Sequence, residues 1–240
     1  MSIIKPIQRI TKSEIIYFAD QKNYPYGKKS KSQLKKIIIQ RINQLEEKFN
    51  PDMIVIGSNT PTLLLNNLMK KNIIGVLPPL KSAQKISKNK NIAILATKSV
   101  IESKELTNYI RTQRISTKIQ ILKINASSLV ELVESGDFIS KPQKCVSIIK
   151  KVLCKKISEN NIDVVTLSST HLPFLKKFLT KEFPQVKFLD PGNDIAQIVK
   201  KKQTKKMVKN KLCIYTSSDV KKFQKQLSKI GIYNKVNFFS

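Results

Sequence analysis

Residues 53–62 read MIVIGSNTPT, and residues 164–173 read VVTLSSTHLP. Each is a short apolar run that ends in a small residue and Ser, followed by a polar pair and a nearby Pro. Such a run reads as a buried strand, and the small and polar residues that stop it read as the turn into the next element. One such strand–turn in each half of the chain points to an α/β fold built twice.

Working outward, strands alternate with helices almost throughout. EIIYFA (14–19) is a β-branched and aromatic strand. After a turn at YPYGKKS, Leu34, Ile38, Ile42, Leu45 and Phe49 recur at helical spacing, with Ser30 or Ser32 as the cap and Pro51 as the stop. MIVIGS (53–58) leads to a helix carrying Leu63, Leu64, Leu68 and Met69. NIIGVL (72–77) and NIAILAT (91–97) are unbroken apolar runs, as parallel strands covered on both faces require. KIQILKI (118–124) is a strand. Residues 145–157 form a helix with Val146, Ile149, Val152, Leu153 and Ile157 on one face and Lys150, Lys151, Lys155 and Lys156 opposite, a solvated face rather than a binding patch. DVVTLSS (163–169), a helix over 172–182 and VKFLD (186–190) follow. Seven lysines in 200–211 mark a linker or exposed helix before a last strand, LCIYT (212–216). The alternation predicts parallel sheets in an α/β architecture.

With 240 residues the chain can bury one large core or two smaller ones. No apolar run reaches the ~18–20 residues of a membrane helix, and MSIIKPIQRITKSE lacks the form of a signal peptide. The expected location is cytoplasmic, with no membrane partner. Cys145, Cys154 and Cys213 have no CxxC spacing and share the chain with a single His, which argues against a metal site or a disulfide framework and for reduced, mostly buried thiols. The formal charge is +29, carried by four arginines and 41 lysines. Readers of DNA and RNA rely on Arg for bidentate contacts. Lysine spread over nearly every helix instead suggests drift of an A/T-rich coding sequence, with weak, salt-sensitive polyanion binding as its by-product.

In open α/β sheets ligands sit beyond the carboxyl ends of strands, beside helix N-termini. Ser58-Asn59-Thr60 and Ser169-Thr170-His171 occupy such places, where N–H groups and polar side chains suit a carboxylate or phosphate. Taken singly, Thr60 and Thr170 would be read as helix caps. Their occurrence as a matched pair favours a site.

These residues resemble the glutamate racemase family of the aspartate/glutamate racemase superfamily. YFADQKNYPYGKKS (17–30) resembles its Tyr-x-x-Asp…Pro-Tyr-Gly-x-x-Ser segment, VIGSNT (55–60) its Ala-Cys-Asn-Thr motif, and LSSTHLPFL (167–175) its Gly-Cys-Thr-His-x-Pro motif. GVLPPLKSA (75–83), ILATKSVIES (94–103), LVELVESG (129–136) and LDPGNDIA (189–196) fit in order between and after them. The resemblance implies two flavodoxin-like parallel-sheet lobes related by a pseudo-twofold, lobe one from 1–92 plus 208–240 and lobe two from 93–207, with a site in the cleft between them. It implies a cofactor-free interconversion of L- and D-glutamate for peptidoglycan supply, by one thiol on each side of the α-carbon. It assigns Asn59, Thr60, Thr170, Pro25, Tyr26 and Gly27 to substrate binding. Glu134 and His171 would tune the second catalytic position. A homodimer is compatible with it.

The chain departs from the family where the chemistry lies. Ser58 and Ser169 stand at the two cysteine positions, and Val100 stands where the family usually has a substrate-binding Thr. A thiol titrates near 8.5 and can serve as a base; a hydroxyl is far less acidic and needs a strong neighbour. His171 cannot make Ser169 basic enough for a carbon acid, and Ser58 has no histidine. Cys145, Cys154 and Cys213 are not at strand ends and do not replace the thiols. The family's opening strand with Asp-Ser-Gly-x-Gly-Gly has no counterpart in MSIIKPIQRITKSEIIYF, which aligns with the helix after it. Either a start upstream of Met1 or real loss of a central strand would explain this. The expectation is a racemase-family chain that is inactive or severely impaired and keeps a glutamate-like ligand. The alternative is a non-catalytic basic module for nucleic acid or an acidic partner.

Overall fold

A computed structural model of the chain describes residues 1–65, 72–203 and 208–240. In order, the first half contains α1 (Ile4–Ile10), β1 (Glu14–Ala19), α2 (Lys31–Phe49), β2 (Ile54–Ile56), α3 (Asn59–Leu64), β3 (Ile73–Gly75) and α4 (Leu80–Ile86). Next come β4 (Asn91–Ala96), α5 (Lys98–Ile101), α6 (Lys104–Thr112), β5 (Gln120–Asn125), α7 (Ser127–Ser135), α8 (Asp137–Ser140) and α9 (Pro142–Glu159). The chain closes with β6 (Val164–Leu167), α10 (Lys176–Glu182), β7 (Lys187–Leu189), α11 (Gly192–Lys202), β8 (Lys211–Thr216), α12 (Val220–Ser228) and β9 (Val236–Phe238). This is the expected mixed α/β fold, and every strand pair is parallel.

The second lobe has one four-stranded sheet in the order β5-β4-β6-β7. Its central strand shows why the sequence NIAILA is apolar without alternation. Ala93 and Leu95 face one side and pack with Ile149, Leu153 and Leu179 from α9 and α10. Ile92, Ile94 and Ala96 face the other side, toward Ala83, Leu80 and Leu106. Successive side chains of a strand point to opposite faces, so a strand clad by helices on both sides needs apolar residues at every position.

The first lobe is divided. Its strands form a three-stranded sheet, β1-β8-β9, and a separate pair, β2-β3. In the second lobe β4 lies between β5 and the β6–β7 pair, whereas no strand among the described residues lies between β1 and the β2–β3 pair. Side chains bridge the break: Ile15 of β1, Val55 of β2 and Ile74 of β3 share one cluster with Ile3 ahead of α1, Ile7 of α1 and Ile195 of α11.

α2 is the helix its spacing predicts. Ser30 Oγ accepts from the Gln33 amide at 3.2 Å, and Gln33 Oε1 accepts from the Ser30 amide at 3.0 Å, a reciprocal cap. Asn50, with φ of 42°, turns the chain out ahead of Pro51. Leu34, Ile38 and Ile42 are buried against Ile54 and Ile73.

Three expectations are corrected. LCIYT is not the last strand, because β9 follows and pairs with β8. Helix 172–182 begins as a 3-10 turn over Leu172–Leu175 before α10 starts. The thiols are not mostly buried: Cys145 is buried, Cys213 half-buried and Cys154 exposed. The helical positions Leu68 and Met69 lie outside the described residues. So do four positions of the lysine-rich stretch, 204–207, while Lys200–Lys202 end α11. Among the described residues no helix is long and apolar enough to cross a membrane.

Candidate functional site

The GSNT segment runs off the carboxyl end of β2 into α3. Ser58 is extended (φ −153°, ψ 132°), and its carbonyl accepts from Thr62 Oγ1 at 2.7 Å, but its hydroxyl caps nothing. Asn59 is 4% exposed, and among the described residues neither its Oδ1 nor its Nδ2 has a hydrogen-bond partner. Thr60 lines a cavity of about 190 Å³ together with Tyr26, Gly27, Lys29, Ser99 and Val100.

The Tyr-Pro-Tyr-Gly turn is placed against this cavity from below β1. A Cβ on Gly27 would lie 2.5 Å from Ser99 Oγ and 3.2 Å from Ser99 Cβ, so any larger residue would require the Ser99 side chain to move. The Tyr26 hydroxyl donates to Asp20 Oδ2 at 3.0 Å. Burial, and then the charge and hydrogen bond of Asp20, push the Tyr26 phenol up, so it stays a neutral donor. Asp20 also accepts from Asn23 Nδ2 and from Ser217 Oγ, and Arg41 Nε lies 3.4 Å from it. That last contact is an ion pair whose angle is not that of a hydrogen bond, so the Nε proton has no acceptor. Val100 is 3% exposed and packs in the apolar cluster of Leu80 and Leu106.

The SSTH segment runs off β6 in the same way. Ser169 Oγ lies 3.4 Å from His171 Nδ1, and His171 Nε2 pairs with Glu134 Oε1 from α7. The Tyr24 ring stands 6.3 Å from the imidazole. Burial and the nearby Glu134 and Glu131 carboxylates push the Tyr24 phenol up to about 12. Thr170 Oγ1 donates to the Gly57 carbonyl at 3.1 Å, and the Thr170 carbonyl accepts from Ser2 Oγ at 2.7 Å.

The structure therefore brings the two motifs together, through the residue before Ser58 and the residue after Ser169. It gathers Thr60, Tyr26 and Gly27 at one cavity and sets Ser169, His171 and Glu134 in one row, the first pair hydrogen-bonded and the second in ion-pair contact. Pro25 leads into the 3-10 turn Tyr26–Lys28. Cys145 sits in the core of α9, where burial raises its thiol, and Cys213 Sγ is 3.8 Å from Glu14 on β1. Cys154 is exposed on α9. Among the described residues no group of three His, Cys, Asp or Glu side chains is placed to hold a metal ion.

Sequence reasoning missed Ser99, Tyr24, Ser2 and Arg41. Ser99 lies inside the ILATKSVIES segment, and Tyr24 immediately precedes the Pro-Tyr-Gly turn, so position alone flagged both. Arg41 is one of only four arginines in a lysine-dominated chain, a signal of a fixed guanidinium role that could have been read. Nothing local marks Ser2.

No family model matches the chain. Curated relatives do. The glutamate racemase of Actinobacillus pleuropneumoniae serotype 7 is 32% identical over 197 residues, covering 80% of this chain and 72% of that protein. The glutamate racemase of Buchnera aphidicola subsp. Schizaphis graminum is 30% identical over 231 residues, covering 92% and 85%. Among solved structures, a glutamate racemase isoform of Bacillus anthracis superposes with a TM-score of 0.87 at 20% identity, over 100% of this chain and 92% of that one. Escherichia coli glutamate racemase, in complex with L-glutamate and the activator UDP-MurNAc-Ala, gives 0.83 at 21% identity, over 99% and 92%. With the same two-lobe α/β fold and this level of sequence identity, the chain belongs to the glutamate racemase family.

Proposed function

We propose that this chain binds a small glutamate-like dicarboxylate and has lost racemisation. The observation that carries the binding is Asn59, whose buried amide has no partner on either atom among the described residues. Leaving such a group unpaired costs about 1–3 kcal/mol, which a ligand carboxylate or amine reaching it would offset. Thr60, Pro25, Tyr26, Gly27 and Thr170 are the other binding positions in this reading, and Lys29 beside Thr60 suits an anion.

Loss of the reaction rests on Ser58 and Ser169. Removing a proton from an amino-acid α-carbon needs a base whose conjugate acid is accessible near working pH, and a serine hydroxyl is not one. Glu134 and His171 act on Ser169 alone, and Ser58 has neither. On this reading the chain is a cytoplasmic pseudoenzyme that contributes no D-glutamate to peptidoglycan. Lobe one comprises 1–92 plus 208–240 and lobe two 93–207, crossing at the first residues of β4. A homodimer is compatible with the reading, and the lysine surface binds polyanions only weakly.

The test is glutamate in D2O with the purified protein. We expect L- or D-glutamate to raise the melting temperature while the α-proton fails to exchange, and Ser58→Cys with Ser169→Cys to restore exchange. Deuterium incorporation by the unaltered chain, lost in Ser58→Ala or Ser169→Ala, would overturn the inactivity. Absence of any ligand-induced shift would overturn the binding.

A further inference from the structure

Serine is too weak for a carbon acid, but it is an ordinary nucleophile toward an acyl carbon when a neutral imidazole lies beside it. His171 Nε2 lies in ion-pair contact with Glu134 Oε1, and Nδ1 faces Ser169 Oγ, 3.4 Å away; a carboxylate beside Nε2 favours the tautomer that carries its proton there and turns the Nδ1 lone pair to the hydroxyl. The His171 backbone N–H also points at Ser169 Oγ, at 3.5 Å, and helps hold that oxygen beside the ring. Hydroxyl, imidazole and carboxylate thus stand in the order of a base-activated nucleophile, with a spacing typical of a site without substrate. The two ring nitrogens are exchanged relative to the serine-protease arrangement, where the hydroxyl faces Nε2. Side-chain exposure of 28% for His171 and 37% for Glu134 leaves the row open to a small solute, and Tyr24 covers one side of the ring.

The two reactions make different demands. Proton abstraction from carbon requires the oxygen to be fully basic before it acts. Attack on a carbonyl requires the hydroxyl proton to leave only as the new bond forms, which an imidazole can accept.

We propose that Ser169 is an acyl-accepting nucleophile, giving the chain an esterase-type activity toward small activated acyl esters. Ser169 Oγ forms a bond to the carbonyl carbon while its proton passes to His171 Nδ1. The ester C–O bond then breaks, and the leaving oxygen takes that proton. Water, deprotonated by the same nitrogen, attacks the acyl-serine, releasing the carboxylic acid and restoring the Ser169 hydroxyl. No oxidant, metal or cofactor enters the balance. The proposal does not rest on glutamate binding, because neither Asn59 nor the cavity beside Thr60 takes part.

The test is labelling of the full chain with an organofluorophosphonate, and acetylation by p-nitrophenyl acetate, each mapped by peptide mass spectrometry. The phosphonylated and acetylated residue should be Ser169. Ser169→Ala should remove the adduct, His171→Asn should slow labelling about 100-fold, and Glu134→Gln should slow it about 10-fold. Ser169→Cys should keep acetylation, and it decides the matter if Ser169→Ala does not fold. An adduct elsewhere, or His171→Asn labelling at the unaltered rate, would overturn the proposal. Loss of glutamate binding in an Asn59 variant with labelling intact separates this idea from the ligand reading.

Discussion

The Thr170 hydroxyl donates to the Gly57 carbonyl at 3.1 Å, joining residues 113 positions apart. Along β2, Ile54 and Ile56 turn their backbone groups toward β3, as the bonds from the Ile54 amide to Asn72 and from the Val76 amide to Ile56 show. Alternation along the strand turns Gly57 the other way, toward the unpaired edge. Thr170 therefore holds an acceptor that a neighbouring strand would otherwise claim, and in doing so it fixes the spacing of the two serine-bearing loops.

Replacing Thr170 by Val keeps the shape and removes this bond. A loss of about 1 kcal/mol in unfolding free energy is expected, with Thr170→Ser close to unaltered. Urea denaturation measures both, and equal stability of the Val variant would mean the bond contributes nothing in solution.

Asn59 should behave in the opposite way. Asn59→Leu replaces an unpartnered buried amide by an apolar group of similar size. The ligand-free protein should gain about 1 kcal/mol, and its thermal response to glutamate should vanish. A destabilised variant would show that the amide is already satisfied.

Asp20 accepts hydrogen bonds from Tyr26, Asn23 and Ser217 at the end of β1 and forms an ion pair with Arg41. The Arg41 and Asp20 side chains are only 12% and 5% exposed. Breaking such a pair from one side leaves a buried charge alone, at a cost of about 3–5 kcal/mol. Asp20→Asn should lose most of that in a denaturant titration. A loss below about 1 kcal/mol would place the pair in solvent.

The unpaired edges give a residue-resolved expectation. Ser13 and Ala19 direct their carbonyls to β8, so the amides of Ile15 and Tyr17 face β8 and those of Ile16 and Phe18 face away. Hydrogen exchange should be faster at Ile16, Phe18 and Val55 than along β4, which is paired on both sides. Equal protection would reveal a partner on that edge.

The sequence carried what is local. EIIYFA matches β1 residue for residue, NIAILAT overruns β4 by one residue, and Ser30 caps α2, because period, β-branching and caps act over a few residues. MIVIGS shrank to Ile54–Ile56, since its ends depend on the length of the short partner β3. β9 escaped because three residues, Val236–Phe238, carry no period and gain their pairing from β8. At the site, the serine positions and His171 were read from the matched motifs, and Glu134 from the family resemblance alone. The Thr170–Gly57 and Asp20–Arg41 contacts did not, for they join side chains to groups that only the folded chain brings near.

The break between β1 and β2 also bears on how the protein comes apart. A continuous sheet transmits strain through its backbone ladder, whereas here only side chains such as Ile15 and Val55 span the two pieces of the first lobe. The unit of α2, β2 and β3 can thus detach without breaking an inter-sheet ladder, once the Arg41–Asp20 ion pair and the apolar contacts give way. The chain should unfold as unequal cooperative blocks, this unit opening before the four-stranded sheet around β4.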